Sequence, residues 1–490
     1  MTRAATVAFD ALPPAAREVL AALGGLLAPG GTAWLVGGAV RDLLLGEPVD
    51  ELDVVVPRGA LALGRQLADR RHGGFVVLDQ ARGVCRVVGS PPIDVADFRA
   101  ADLDGDLRGR DFTVNALAVA LPALLAGRAP VEDPTGGLAD LAGRAVRLAA
   151  PGALRDDPLR VLRGVRLSLR PGWRLDAGVE GAAREVAAAV PGVAAERLRE
   201  ELVAMLAGPA AGHGLRRLDA LGVLEGLLPE SRAMRDTEQP EPHRFDVWEH
   251  SLRAVEGADA LAARLDALAP WGEALRTHLA EDLGDGLTRR EALKLAALVH
   301  DVAKPQTRRV VDGRARFLGH EIEGAALAAD IARRFRLSSR ATLVIERLVR
   351  QHLRPMHLAQ AGGVTRRARY RFFRDLGEDA RDLLLLALAD AAAVRGDAPH
   401  AVWQGPDGAI VRDLMAGAPE EERQAAAPPL LRGEDVMDVL GLAPGPEVGR
   451  RLAEAREAQA LGLVGTRAEA LAWLRERAAG RSLDTSTGDP

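Results

Sequence analysis

The stretch from Trp34 to Val56 constrains the fold of this chain more than any other. It reads as a strand (Trp34-Leu35-Val36), a Gly37-Gly38 turn, a short helix (Ala39 to Leu45) and a second strand (Leu52 to Val56). Further strand-like runs at Phe75 to Leu78, Val84 to Val88 and Ile93 to Phe98 make this an α/β unit that ends near residue 150. After Pro151 the β signal disappears, and amphipathic patterns rich in Ala, Leu and Arg run to about Leu228, so the remainder is predicted to be all-helical.

A chain of 490 residues with 48% hydrophobic content can bury several cores, and four segments are expected. The boundaries are an α/β head over 1–150, a helical neck over 151–240, a helical block over 241–403, and a linker with a helical tail over 404–490. Pro229 to Pro242 reads as a loop, Gln404 to Pro429 as a Gly/Pro/Ala-rich connector, and Ser482 to Pro490 as disordered. The single cysteine, Cys85, excludes an internal disulfide and fits a reducing compartment, with the cytoplasm as the default.

Asp10, Arg17 and Glu18 interrupt the apolar N-terminus, so no export is predicted. The apolar stretches Ala116 to Ala126 and Leu383 to Ala389 are too short to cross a bilayer, which argues against a membrane protein. With 64 Lys+Arg against 69 Asp+Glu, the net charge of -5 would not attract a polyanion, so any contact with a nucleic acid would have to use local basic patches.

The densest cluster of chemistry is Gly37-Gly38-Ala39-Val40-Arg41-Asp42 followed by Glu51-Leu52-Asp53. Two glycines after a strand let the backbone approach a phosphate, and the helix that follows turns its first N–H groups toward it. Side chains at i and i+2 of a strand share a face, so Glu51 and Asp53 can ligate the same pair of divalent ions while Asp50 points away. Two-metal phosphoryl chemistry uses that arrangement, and Asp94 on a later strand is a candidate third carboxylate. A Gly-Gly turn alone is a weak signal. Here a third segment, Arg110-Asp111-Phe112-Thr113-Val114-Asn115-Ala116, follows in the order expected of one site.

These segments resemble the class II tRNA nucleotidyltransferase and bacterial poly(A) polymerase family, a branch of the DNA polymerase beta superfamily. Asp133-Pro134-Thr135-Gly136-Gly137, Asp156-Asp157-Pro158-Leu159-Arg160 and Glu196-Arg197-Leu198-Arg199-Glu200 look like that family's next signatures. The resemblance implies Mg²⁺ at Glu51 and Asp53. It also implies nucleotide binding by Gly37, Gly38, Arg41, Asp42, Arg110, Asp111, Asn115, Asp156, Asp157 and Arg160, and a tRNA 3′ end as substrate.

Asp157 and Arg160 are three apart, and Asp156 and Arg160 four apart, on a predicted helix, which puts them on one face. A surface ion pair is the bland reading. The resemblance makes them a template instead: a carboxylate that only accepts and a guanidinium that only donates match cytosine and adenine and reject guanine and uracil. Three departures from the family pattern stand out: Asp156 replaces the usual Glu, Glu51 replaces the usual first metal Asp, and only Ala100 to Gly109 lie between Phe98-Arg99 and the Arg-Asp-Phe-Thr motif. Full CCA-adding members carry a long flexible loop there, associated with switching from CTP to ATP. The short version resembles the CC-adding subgroup, so CTP is the expected substrate, with ATP as the alternative and a partner enzyme adding the terminal A.

In the helical block, His250, His300-Asp301 and Asp390 follow the order of the HD metal-dependent phosphohydrolase superfamily. Imidazole with carboxylate suits Mn²⁺, Ni²⁺, Mg²⁺ or Fe²⁺. His320 and His352 are candidates for a second metal position or a phosphate contact, while His213, His278 and His400 are read as structural. Many bacterial members of the resembled family carry such a domain, with phosphohydrolase activity on nucleotides and 2′,3′-cyclic phosphates.

Thr365 to Arg374 interleaves Arg366, Arg367, Arg369, Arg371 and Arg374 with Tyr370, Phe372 and Phe373, which reads equally as an RNA grip or as a solvated helix face over core aromatics. The tail from Leu431 to Arg477, with its turn-rich Leu442 to Gly449, looks like the family's module along the tRNA acceptor arm. The rivals are a poly(A) polymerase and a phosphohydrolase whose head only binds RNA.

Overall fold

A computed structural model describes residues 5–478, and the predicted disorder of Ser482 to Pro490 lies outside the described residues. The chain divides into two compact units. One runs to Met205 and takes in His213–Pro229; the other combines Leu206–Gly212 with the chain from Glu230 on.

The first unit is built on eight strands: β1 (Thr6–Ala8), β2 (Trp34–Val36), β3 (Leu52–Val56), β4 (Phe75–Asp79), β5 (Val84–Val87), β6 (Ile93–Asp97), β7 (Ala118–Ala120) and β8 (Arg128–Glu132). They form one sheet in the order β1-β8-β7-β2-β3-β6-β5-β4, in which only β3 and β6 pair in parallel. Helices Pro14–Gly24 and Ala60–Arg71 supply Leu20, Leu23 and Leu67 to the main core, which also holds Leu52, Val54 and Val56 of β3 and Ile93 and Val95 of β6. Strand alternation then sends Asp53, Val55, Asp94 and Ala96 to the opposite face. There Val55 joins a smaller cluster with Val36, Phe98, Leu107, Ala116 and Ala118. The acidic residues therefore stand on the face that the main core does not use.

The second unit is helical. Its central helices are Val247–Ala263, Arg289–Val299, His320–Arg334, Ser339–Gln351 and Ala380–Arg395. Their starts are fixed by local chemistry: Asp246 accepts from the Glu249 N–H at 2.7 Å, Thr288 and Glu291 form a capping box, and Ser338 accepts from the Ala341 N–H at 3.0 Å. Three further helices, Gly433–Leu440, Pro446–Ala460 and Arg467–Ala478, close around their own core of Leu431, Val436, Val448, Ala458 and Leu474. Among the described residues no helix is long and apolar enough to cross a membrane.

Several expectations need correction. The chain after residue 150 is not wholly helical. Arg174–Leu175 pairs in parallel with Ala145–Val146, and Arg309–Val311 forms a hairpin with Arg314–Arg316. The hairpin turns at Asp312-Gly313, both left-handed at φ 51° and 73°, the Asp-Gly combination that suits a two-residue turn. Gln404 to Pro429 is mostly the helix Ala409–Ala426, since its alanines favour helix more than its glycines oppose it. Pro229 to Pro242 contains the helical turn Ser231–Met234, and the turn-rich Leu442 to Gly449 gives way to helix at Pro446, where proline's fixed φ suits the first turn.

Candidate active sites

In the first unit the site grows from β2 and β3. Gly37 follows β2 at φ +72°, and a Cβ there would lie 3.2 Å from Asp53 Oδ2 and 3.3 Å from a guanidinium nitrogen of Arg110. Only glycine fits that approach. Gly38 opens the helix Gly38–Leu45, so its first N–H groups emerge beside the carboxylates. Asp53 pairs in register with Asp94 across the parallel β3–β6 ladder, and Glu51, one residue before β3, has the same parity. Burial, with further help from Glu51 and Asp94, lifts the Asp53 carboxyl to about 6 against the pull of Arg110. A desolvated carboxylate among other carboxylates is a hard-oxygen donor set that calls for a cation.

Arg86 on β5 faces this cluster. It donates to both oxygens of Asp94 at 2.7 and 2.9 Å and also to Glu51. Asp94 is thus already held by a guanidinium, which sets it apart from Asp53. Arg41 is buried, doubly bonded to Asp42 and 2.5 Å from Asn115 Oδ1, and Arg170 grips the outer side of Asp42 at 3.1 Å. Asp111 is buried as well, accepting from the Phe112 N–H, Asn115 Nδ2 and Arg163. Burial pushes its carboxyl up, but Arg163 and these hydrogen bonds outweigh that and hold it below the usual carboxylate range. Arg110 pairs at 3.2 Å with the fully buried Asp106.

The residues expected to select the base do not share one helix. Helix Ala153–Asp156 stops, Asp157 is extended at φ -150° and ψ 97°, and a new helix starts at Arg160. Pro158 is the cause, because its ring disfavours the helical region for the residue before it. Asp156 is exposed, Asp157 Oδ2 lies 2.6 Å from Arg197, and Arg160 donates to the carbonyls of Arg110, Ala153 and Gly109 at 3.1–3.3 Å. Each side chain is fixed by its own partners rather than by the other.

The second unit gathers His250, His300, Asp301, His320, His352 and Asp390 at the ends and faces of its five central helices. His250, His300 and Asp390 form one group; Asp301, His320 and His352 form another. Asp301 belongs to both: Oδ2 is 3.2 Å from His300 Nε2, and Oδ1 is 3.3 Å from His320 Nε2. The Nδ1 atoms of His300, His320 and His352 face the carbonyls of Ala297, Phe317 and Val349 at 2.6–2.9 Å. A carbonyl only accepts, so each Nδ1 carries the proton and each Nε2 lone pair is left to point inward. The Nε2 atoms of His320 and His352 meet at 3.2 Å, a clash of lone pairs unless a cation lies between, and His250 Nε2 lies 3.2 Å from His300 Nε2 and 3.0 Å from Asp390 Oδ1. Although Lys304 Nζ is 2.6 Å from Asp301 Oδ2, neither buried oxygen of Asp301 receives a well-directed hydrogen bond. The donor set fits a divalent metal pair.

Family comparisons agree with both sites. A model described as the poly A polymerase head domain matches residues 33–147, one described as a probable RNA and SrmB-binding site of polymerase A matches 172–234, and an HD domain model matches 247–394. The A-adding tRNA nucleotidyltransferase of Deinococcus radiodurans is 38% identical over 457 residues, covering 91% of this chain and 95% of that relative. The chain belongs to the tRNA nucleotidyltransferase family. It is therefore an enzyme. The CC-adding tRNA nucleotidyltransferase of Thermus thermophilus is 37% identical over 93% of this chain and 95% of its own length. The Bacillus stearothermophilus CCA-adding enzyme in complex with CTP shares the fold, with a TM-score of 0.61 at 23% identity, over 96% of this chain and 99% of that one.

For a tRNA nucleotidyltransferase, the residues that sequence reasoning missed are mostly the arginines and acids behind the motifs. Arg86 could not be placed without the β5–β6 register that sets it opposite Asp94. Arg163 and Arg166 both hold Glu201, at 2.9 and 3.0 Å, and their spacing of three on one helix was the available signal. Lys304, bonded to Gln239 at 2.7 Å, and His243, edge-on to His250, frame the histidine cluster. The arginine-rich helix Arg366–Leu376 follows its bland reading: Tyr370, Phe372 and Phe373 are buried, Arg367, Arg371 and Arg374 surround Glu457, and Arg369 pairs with Asp413. His278 pairs with Asp382 at 2.8 Å in the core, and neither His213 nor His400 joins the cluster.

Proposed function

We propose that this chain extends the 3′ end of tRNA from CTP, adding cytidine and leaving the terminal A to a partner enzyme. The observation that carries this reading is the placing of Asp53 beneath Gly37, with Glu51 close enough to act on its charge, on the face opposite the main core. Glu51 and Asp53 would hold Mg²⁺, which when bound supplies activation of the attacking 3′-hydroxyl and neutralisation of the leaving pyrophosphate. The reaction joins the 3′ oxygen to the α-phosphorus and breaks its bond to pyrophosphate. Gly37 and Gly38 offer close approach and N–H groups to the triphosphate. Arg110 adds positive charge beside Asp53, while Arg41, Asp42, Asp111 and Asn115 form the bonded frame that positions the Gly-Gly turn. Asp157 and Arg160 read the base, an acceptor and a donor fixed separately on either side of the Pro158 break; Asp156, exposed beside them, adds a second acceptor.

Preference for CTP is supported by the segment Ala100 to Gly109. It is a short helix, Leu103–Arg108, capped by Asp102, rather than a long loop. A second reading, addition of A, is favoured by the 38% identity to the Deinococcus radiodurans enzyme. Incorporation on tRNA transcripts ending at the discriminator base, at C and at CC, with CTP and ATP supplied separately, decides between them. Two cytidines and no adenosine is the expected result; adenosine added only to the CC end overturns the CTP preference.

The second centre is a phosphohydrolase acting on nucleotide phosphoesters such as 2′,3′-cyclic phosphates. His250, His300 and Asp390 on one side and His320 and His352 on the other would hold two divalent ions, Mn²⁺, Ni²⁺, Mg²⁺ or Fe²⁺, with Asp301 shared. The functional divisions of the chain are a head over 1–150, an RNA-binding neck over 151–240, the hydrolase over 241–403 and a tRNA-contacting tail over 404–490, all working in the cytoplasm.

A further inference from the structure

The hairpin Arg309–Val311/Arg314–Arg316 is unlike the rest of its unit in its charges. Its register pairs Arg309 with Arg316 and Val311 with Arg314, so directly opposite residues put Arg309, Arg314 and Arg316 on one face together with Val311, and Val310 and Ala315 on the other. All three arginines and the neighbouring Arg308 are exposed, and among the described residues none of the four meets a carboxylate. Elsewhere in the unit arginines are neutralised: Arg289 by Glu281, Asp379 and Asp382, Arg347 by Asp379, Arg371 by Glu457. Like charges directly across a strand pair destabilise it, so Arg309 opposite Arg316 is a cost the fold does not need for packing.

The root of the hairpin sits on the histidine cluster. The segment leaves the helical turn Lys304–Thr307, just after Asp301, and returns at Phe317, three residues before His320. The Phe317 carbonyl accepts from His320 Nδ1 at 2.6 Å, and Lys304 Nζ lies 5.6 Å from the Phe317 ring centre. An anion held on the arginine face is therefore held by a segment whose two ends are metal-site residues.

We propose that this arginine face is the docking surface for the phosphodiester backbone of an RNA strand whose end is delivered to the histidine–aspartate centre. The inference rests on the phosphohydrolase reading and names its substrate class: a polynucleotide end rather than a free nucleotide. Three guanidiniums on one face of a short hairpin match successive phosphates, each of which can accept two parallel N–H bonds from one of them. A mononucleotide offers only its own phosphate and would leave most of that charge unused. An anionic membrane is the competing occupant. Val310 lies on the face away from the arginines, and the one apolar side chain that shares their face, Val311, buries too little surface to hold the hairpin on lipid.

The test uses the full chain with Mn²⁺. The probes are a short oligoribonucleotide ending in a 2′,3′-cyclic phosphate, with 4-thiouridine near that end, and 2′,3′-cyclic CMP. Photocrosslinks mapped by mass spectrometry are expected in peptides spanning residues 308–318. The variant Arg309→Ser/Arg314→Ser/Arg316→Ser should lose them while keeping crosslinks in the first unit. Its KM for the oligonucleotide should rise about tenfold and its KM salt dependence should flatten by about two logarithmic slope units, at roughly 0.7 per phosphate contact. Its KM for cyclic CMP should stay within about twofold, and the corresponding triple lysine variant should recover most of the loss, since a point charge still attracts phosphate. No hairpin crosslink, an equal effect on both substrates, or hairpin binding to anionic vesicles without RNA crosslinks would overturn the proposal. Absence of hydrolysis of both the oligonucleotide end and cyclic CMP by the unaltered enzyme would instead defeat the phosphohydrolase reading, and the crosslinks would still decide whether the hairpin holds RNA.

Discussion

Asp53 and Asp94 owe their position to parity: Leu52, Val54, Ile93 and Val95 turn into the main core, and the acids between them must face the other way. That much was legible in the sequence, because β3 and β6 alternate. Arg86 was not, since a residue's partner across a ladder depends on register and no local pattern sets it. It orients Glu51 and Asp94 at once, so Arg86→Ala should raise the Mg²⁺ concentration needed for half-maximal incorporation by about 10–100-fold, the usual cost of losing a group that orients metal ligands. A Mg²⁺ titration of CTP incorporation checks it; an unchanged midpoint would remove Arg86 from the site. Asp111 belongs to the same scale. Its folded carboxyl is held below the usual range, so the stability it contributes is present above the unfolded value near 4 and is lost as pH falls through the lower folded value. Asp111→Asn should cost about 2 kcal/mol at pH 7, because the charge-assisted hydrogen bonds to the buried carboxylate are lost while Arg163, partly exposed, keeps its pair with Glu201. Urea unfolding should show the gap between variant and parent closing below about pH 4.

At the scale of elements, the long apolar patterns and the Gly-Gly turn were readable, and short elements made by tertiary pairing were not. β7 is three residues inside an apolar run, and β1 exists as a strand because it pairs with β8, which itself pairs with β7. The hairpin after Thr307 did carry a signal, Asp312-Gly313 between Val311 and Arg314, which the surrounding helical pattern outweighed. The break at Asp157 was also written in the sequence, in Pro158, yet the spacing of three to Arg160 suggested one helix. The break has a consequence for selectivity. Pro158→Ala would relieve the restriction on Asp157 and let Ala153–Ser168 run as one helix, carrying the carboxylate away from Arg197. Displacement of a positioning group by about 1 Å can cost on the order of 10²-fold. We expect kcat/KM for CTP to fall by about that factor and misincorporation of UTP to rise, with the circular dichroism spectrum nearly unchanged. A variant with unaltered selectivity would show that Arg160 alone reads the base.

For the whole molecule, the two centres lie in separate compact units, each with its own group of acidic side chains. No residue of one centre is a ligand in the other, so the two chemistries should be lost independently. Asp53→Asn removes a half-buried hard-oxygen donor and should lower nucleotide incorporation by at least about 10²-fold, the scale of losing a group that stabilises charge in the transition state. Hydrolysis of a cyclic phosphate should be unaffected by it. Asp301→Asn should do the reverse. Because Asp301 faces both histidine groups, its loss should also reduce bound Mn²⁺ further than His352→Ala, whose ring nitrogen belongs to one group only. Metal content after dialysis, read beside both activities, separates the cases. If Asp301→Asn lowers incorporation as well, the units are coupled through tRNA or through each other, and hydrolysis is then part of the extension cycle rather than a second activity on the same chain.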